Sequence, residues 1–369
     1  MTVERVLVVN AGSSTLKLSV VDRAGRPAAA RTLETLQGSL APKTVAAEIA
    51  ALGPVDAVGH RVVHGGTAFS GPTIVDGGVL SRLHALASLA PLHQPRSLGA
   101  LETVRAAMPD VPHVACFDTA FHATLSRAAS TYAIPREWRE KWPLRRFGFH
   151  GLSHASASRR AAELIGRPLG ELRIVTCHLG AGASLAAVAG GRSVDTTMGF
   201  TPLEGLVMAT RSGSVDPGLV LWVQAEGGLS ASEVSDGLEH DSGLVGLAGT
   251  ADMRGVLSRA AAGDGDAALA LDVYVHRVRA GIAAMAASMG GMDAVAFTGG
   301  VGEHAPEVRR RAFDGLGFLG ALIDAERNDA AQADAVIGLA GARVAVVVVE
   351  AREDVEIARQ ARELLEERP

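Results

Sequence analysis

The chain has 369 residues, enough for two domains with substantial cores. A hydrophobic share of 48% beside 20% charged residues describes a globular protein, and a formal charge of −5 argues against nucleic acid or an anionic membrane as the main partner. Cys116 and Cys177, the two cysteines, form no disulfide framework and no metal spacing, and read as small core residues in a reducing compartment.

No basic n-region, apolar h-region or cleavage site precedes the first strand, which opens by Val6, and the most apolar run, residues 344–349, is too short to cross a bilayer. A cytoplasmic location is expected. Residues 3–22 read as a hairpin around Asn10-Ala11-Gly12-Ser13-Ser14, because Leu16, Leu18 and Val20 recur with a period of two after the turn. Residues 42–52 read as helix, and 57–63 as a strand running into His64-Gly65-Gly66. Helical spacing follows over 78–108, broken between Pro91 and Pro95, and then a buried strand over 111–117 ends on Asp118. The polar, aromatic stretch 132–153 is expected where two domains join. Strand, turn and strand recur from Leu172 around Gly180-Ala181-Gly182. A helix over 266–289, a strand over 294–297 and the turn Gly299-Gly300-Val301-Gly302-Glu303 follow, and strand 344–349 and helix 354–367 close the chain. Strands mixed with helices in both halves indicate α/β layers.

Both small-residue loops lie between two strands, so neither is a P-loop or a dinucleotide fingerprint, each of which opens a helix. One loop of N–H and hydroxyl donors per half instead points to a duplicated kinase gripping phosphates. Asn10 can hold a phosphate oxygen or a metal-bound water, and Asn at a turn also has a purely conformational use. Arginine supplies 32 of the 35 basic residues, so Lys17 carries more information than any single arginine. Arg61 ends an apolar strand, where an unpaired charge is costly, and its planar fork matches a carboxylate or phosphate. Asp118 sits at a strand's C-terminal end, where open α/β sheets bind ligands, although Asp is also a preferred N-cap. His150 is flanked by glycine in an aromatic loop. Pro202 and Arg211 belong to a long polar run, the kind of loop that tends to be functional. Glu353 suits the dipole of the final helix.

Taken together, VLVVNAGSSTLKL, GHRVVHGG, APLHQP, FDTAFH, RRFGFHGLSHA, HLGAGASLAAV, SVDTTMGFTPLEGLVMATRSGSVDP, FTGGVGE and EDVEIA strongly resemble the acetokinase family, in the family's order and over nearly the whole chain. That family belongs to the sugar kinase/Hsp70/actin superfamily. The resemblance implies two ribonuclease-H-like domains of actin/hexokinase type flanking a nucleotide cleft: domain I over 1–122 plus 355–369, on the acyl-substrate side, and nucleotide-binding domain II over 123–354. It also implies reversible phosphoryl transfer from ATP to acetate, giving acetyl phosphate and ADP, with Mg²⁺ (or Mn²⁺), in a homodimer. By the same resemblance Asn10 and Glu353 would hold the metal, overturning the dipole reading of Glu353. Arg61 and Arg211 would clamp the carboxylate and the transferring phosphoryl, His150 would stabilise the transition state, and Asp118 would orient Arg61, the metal or the acetyl group. Val63, Leu92, Phe149 and Pro202 would line the methyl pocket. Lys17, His178, Leu179, Gly180, Ala181 and Gly182 would hold nucleotide phosphate. Asp252, Met253 and Arg254, with Gly300, Val301, Gly302, Glu303 and His304, would contact the nucleoside end.

The chain departs from the family at Ala181 and His304, each in place of the usual Asn, and at Gln94 and Arg96, in place of Asn and Pro. The segment between the first loop and Gly59 is also shorter than usual. A propionate or butyrate kinase on the same scaffold is the nearest alternative, since one methylene discriminates by only about 1–3 kcal/mol. A nucleotide-dependent regulator is a further one, disfavoured by Arg61, Asp118, His150 and Arg211, because a regulator needs no acceptor site.

Overall fold

The computed structural model describes residues 2–12, 15–34, 41–91 and 93–367. Ser13, Ser14 and Leu92, named above, lie outside the described residues. The chain divides into two compact units, one of residues 1–123, 149–156 and 352–369, the other of 124–148 and 157–351. Residues 149–156, given to domain II by the sequence reading, pack with the first unit instead. The Gly151 N–H donates to the Asp118 carbonyl at 2.9 Å, and the Phe149 ring lies edge-on to His64 at 5.5 Å.

The first unit is built on β1 (Val6–Ala11), β2 (Thr15–Val21), β3 (Pro27–Glu34), β4 (Ala57–Val62), β5 (Thr73–Ile74) and β6 (His113–Phe117), in the spatial order β3-β2-β1-β4-β6-β5. β1, β2 and β3 form an antiparallel meander, while β1, β4 and β6 run parallel. Alternation along β1 explains both faces. Val6 and Val8 meet Ile357, Ala358, Ala361 and Leu365 of the closing helix Glu353–Glu366. Leu7 and Val9 meet Val45 and Ile49 of helix Pro42–Ala51 and Val104 of helix Gln94–Ala107. The closing helix crosses the sheet at Gly59, where an added Cβ would stand 2.6 Å from Ile357 Cγ2. β6 begins two residues later than the sequence pattern predicts, because Pro112 has no N–H for the ladder; its carbonyl still accepts from Val58.

The second unit repeats this plan with β7 (Arg173–Leu179), β8 (Ala183–Ala189), β9 (Arg192–Thr196), β10 (Ala294–Thr298), β11 (Ala335–Val336) and β12 (Ala345–Val348). The order β9-β8-β7-β10-β12-β11 matches the first sheet strand for strand, with β7, β10 and β12 parallel. The long helix Gly265–Ser288 starts at Asp264, whose carboxylate accepts from the N–H groups of Asp266 and Ala267, and stops before Gly290 and Gly291, both at positive φ. Among the described residues no helix is long and apolar enough to cross a membrane. Both cysteines are buried and free.

Candidate functional site

In the first unit the parallel strands β1, β4 and β6 bring three polar residues to their C-terminal ends: Asn10 near the end of β1, Arg61 near the end of β4, and Asp118 just past β6. Arg61 Nε donates to both Asp118 oxygens at 3.2 Å, and Nη2 donates to Oδ2 at 2.7 Å. Nη1 donates to Asn10 Oδ1 at 3.1 Å and lies 3.6 Å from Glu353 Oε2. Asn10 Nδ2 closes the ring by donating to Glu353 Oε2 at 3.1 Å. Glu353 is the first residue of the closing helix rather than a residue ahead of it. Asp118 is thus an ion-pair partner of Arg61 and caps no helix among the described residues.

Burial alone would lower the Arg61 pKa; the Asp118 and Glu353 carboxylates outweigh it, so the guanidinium is held charged above its ordinary range. Burial pushes the Asp118 carboxyl up, and Arg61 opposes that rise. Two carboxylates therefore share one guanidinium, beside the amide oxygen of Asn10.

Beyond Val62 the chain turns through residues 63–66. Val63, His64 and Gly65 are buried, and Gly65 has no room for a side chain, since its Cβ would lie 2.7 Å from the Phe69 carbonyl oxygen. Phe149 is 1% exposed against His64. His150 adopts φ 56°, a left-handed conformation that costs a non-glycine residue about 1–3 kcal/mol. Gly151, next to it, packs so closely on the Asp118 carbonyl that a Cβ would sit 2.2 Å from its oxygen. The His150 segment is thereby fixed beside Asp118. Lys17 is exposed on β2, in register with Asn10.

In the second unit Gly180, Ala181 and Gly182 form the turn between β7 and β8, closed by the Gly180 N–H on the Gly182 carbonyl at 2.9 Å. His178 and Leu179 are the last residues of β7. A cavity of about 470 Å³ is lined by Gly180 and Ala181, by Asp252, Met253 and Arg254, and by Gly300, Val301 and His304. Leu244, Leu257 and Tyr274 complete its apolar wall. These three were missed, because apolar residues at helical spacing look like ordinary core.

Gly302 and Glu303 do not line that cavity. The Glu303 carboxylate is turned inward, accepting from the N–H groups of Gly299 (2.9 Å) and Ala351 (3.1 Å). Buried Arg309 donates to the carbonyls of Gly302 and Glu303 and to Asn328, holding the loop from behind. Gly299 stands at φ 81°, where a Cβ would meet the Leu179 carbonyl oxygen at 2.8 Å.

Arg211 is mostly buried, donates from Nη1 to the Pro202 carbonyl at 2.8 Å and lies 3.9 Å from Glu239. Burial lowers its pKa and Glu239 opposes the shift. The loop that carries Pro202 is braced by Arg146, which donates to the carbonyls of Thr197 and Met198 and to Glu204; Glu204 also accepts from Tyr132.

The profile of the acetokinase family matches residues 30–359. The acetate kinase of Leifsonia xyli subsp. xyli is 47% identical over 96% of this chain and 98% of its own length. The crystal structure of Porphyromonas gingivalis acetate kinase superposes with a TM-score of 0.91 at 33% identity, covering 98% of this chain and all of that one. A propionate kinase from Francisella tularensis superposes with a TM-score of 0.89, also at 33% identity, over 98% of this chain and 99% of its own. The chain shares the fold of these neighbours and belongs to the acetokinase family.

Proposed function

We propose that this chain transfers a phosphoryl group reversibly between ATP and acetate, forming acetyl phosphate and ADP. The observation that carries the proposal is the Arg61 cluster, a guanidinium held by a buried carboxylate at the ends of three parallel strands, with the acceptor oxygens of Asn10 and Glu353 beside it. A fork so fixed is suited to a carboxylate or a phosphoryl group. The name acetate kinase carried by relatives such as that of Leifsonia xyli supports acetate as the acid.

Acetate is already ionised near neutral pH, so its attacking oxygen needs no general base. The barrier is the approach of one anion to another, and fixed cations with good positioning lower it. Arg61 is proposed to hold the acid's carboxylate, with Asp118 keeping the fork oriented. Val63 and Phe149 are proposed to face its methyl group. Arg211, steadied by the Pro202 carbonyl, is proposed to meet the transferring phosphoryl, and His150 to donate to it in the transition state. His178, Leu179 and the turn Gly180-Ala181-Gly182 are proposed to hold nucleotide phosphate with Lys17. The 470 Å³ cavity has the size and apolar lining for a nucleoside. Glu303, turned inward, is proposed to brace that cavity's loop rather than touch the nucleotide.

Asn10 Oδ1 and the Glu353 carboxylate are hard oxygen donors in one cluster, a set that fits Mg²⁺, which keeps waters and binds substrate phosphates rather than needing a full protein cage. Mn²⁺ is the alternative ion. When bound, the ion would offset phosphate charge. A homodimer is also proposed. Helix Pro217–Ala225 has no buried residue and no charged one, and it exposes Leu219, Leu221 and Trp222. A cytoplasmic location, with neither nucleic acid nor membrane as partner, accords with the charge of −5.

The test is acyl phosphate formation, trapped as the hydroxamate, from ATP and Mg²⁺ with acetate, propionate, butyrate or no acid. The highest kcat/KM with acetate is expected. A longer acid in first place would keep the mechanism and change the substrate. No product with any acid, from folded protein that binds ATP, would refute the proposal and favour a regulatory role.

A further inference from the structure

Past Val62, where the β4–β6 ladder ends, no strand among the described residues pairs with the turn over residues 63–66. The Gly65 carbonyl accepts from the Phe69 N–H, and side chains hold the rest. Gln94, the first residue of helix Gln94–Ala107 and 0% exposed, accepts from the His64 N–H through Oε1 at 3.1 Å and donates from Nε2 to the His64 carbonyl at 3.0 Å. One carboxamide thus makes the paired donor and acceptor contacts that a neighbouring strand's peptide would make. The Gly65 N–H donates to Thr119 Oγ1 at 3.0 Å, and the Gly66 N–H to His64 Nδ1 at 2.8 Å. The peptide groups clamped by Gln94 are those that follow Val63, and the His64 ring they carry packs on Phe149.

We propose that Gln94 is a specificity-determining positioning residue, whose two bonds to His64 fix the Val63 and Phe149 wall against which the acid's alkyl group is measured. The inference rests on the reading of Val63 and Phe149 as the acyl wall. The geometry requires the full length of glutamine. Asparagine, the residue the family usually carries here, is one methylene shorter and cannot hold both His64 groups from the Cα position of this chain, and leucine, similar in size, can hold neither. Loosening the turn removes the advantage of the smaller acid more than that of the larger one, because a short alkyl group gains only from a close wall.

The experiment compares kcat/KM for acetate and propionate in wild type, Gln94→Asn, Gln94→Leu, Gln94→Glu and Val63→Ala, with KM for ATP measured alongside. For Gln94→Asn the acetate-over-propionate ratio is expected to fall by roughly tenfold, the low end of what one methylene commands in an apolar pocket, through KM for the acid and without change in KM for ATP. Gln94→Leu, if it folds, is expected to lose more. Gln94→Glu keeps the acceptor, and supplies a donor to the His64 carbonyl only while protonated. Its ratio should therefore approach wild type at acid pH and fall as pH rises, which a merely structural role would not produce. A wild-type ratio in folded Gln94→Asn, with a pH-independent ratio in Gln94→Glu, overturns the proposal. If Val63→Ala shifts the ratio in that case, the acyl wall stands and only Gln94 is excluded. If Val63→Ala leaves it unmoved too, the wall itself is misassigned and the proposal falls with it.

Discussion

Asp118→Asn separates an orienting carboxylate from a catalytic base. Asp118 accepts three N–H contacts from Arg61 between 2.7 and 3.2 Å, and its side chain is 2% exposed. Removing one partner of a buried ion pair costs about 3–5 kcal/mol. The amide oxygen that replaces the carboxylate can still accept from Arg61, and Glu353 remains at 3.6 Å, so a loss near about 3 kcal/mol is expected from urea denaturation. Freed from one side, the Arg61 fork turns toward Asn10 and Glu353. A misplacement of about 1 Å is worth roughly a hundredfold in rate. That loss should be uniform from about pH 6 to 9, because no proton transfer has been removed. In the background of Arg61→Ala, Asp118→Asn should cost almost nothing further, since its effect passes through the guanidinium. A loss confined to one limb of the pH profile, or full additivity with Arg61→Ala, would refute the reasoning.

Arg211→Ala should lower kcat by roughly 10³–10⁵, the range for an arginine on a transferring phosphoryl, while thermal unfolding changes little; near-normal turnover would exclude the role. Burial holds His64 and His122 at about 4 in the folded protein, below the usual 6.5. The unfolded chain therefore takes up protons first as pH falls through 6.5, and stability declines from there toward pH 4; at pH 5.5 the two should cost about 3 kcal/mol together, and a flat profile of urea unfolding between pH 7.5 and 5.5 would contradict this. Trp222→Glu should shift the protein to the monomer in sedimentation velocity if helix Pro217–Ala225 lies at the dimer interface, and an unchanged dimer would place the interface elsewhere.

What the sequence revealed of the fold follows from which residues face a core. β1, β2, β7 and β8 carry apolar residues against helices, so their strands and the loops between them could be read from period or from apolar runs. β3, Pro-Ala-Ala-Ala-Arg-Thr-Leu-Glu, is a sheet edge exposed along most of its length, and burial has left no alternation on it to read. β5 and β11 are two residues long and exist only through their partners. Among site residues, those at strand ends were legible because a charge at the end of an apolar run is conspicuous. The inward turn of Glu303 and the hold of Gln94 on His64 were not, since a side chain bonded to distant backbone leaves no periodic trace.

The duplicated topology sharpens the division of labour between the two units. Extending the β1–β4 register by one residue sets Arg61 beside Asn10, just as Thr298 lies beside His178 in the β7–β10 pair. The equivalent strand ends differ in character. In the first unit they carry Asn10, Arg61 and Asp118, side chains that fix charge in place. In the second, His178 and Thr298 hold the positions of Asn10 and Arg61, but β7 then runs into Gly180 and β10 into Gly299 and Gly300, and the positive φ of Gly299 with its close approach to Leu179 adds glycine backbone beside them. Side-chain charge suits a small carboxylate and a metal ion, which must be held at defined oxygens. Exposed backbone beside an apolar cavity suits a nucleotide, whose phosphates accept from N–H groups and whose base needs area. On the proposed function, two sheets of one topology take different ligands through a few residues at the ends of three strands. That is why short motifs at those ends say so much about this chain, and why the sheets that hold them say so little.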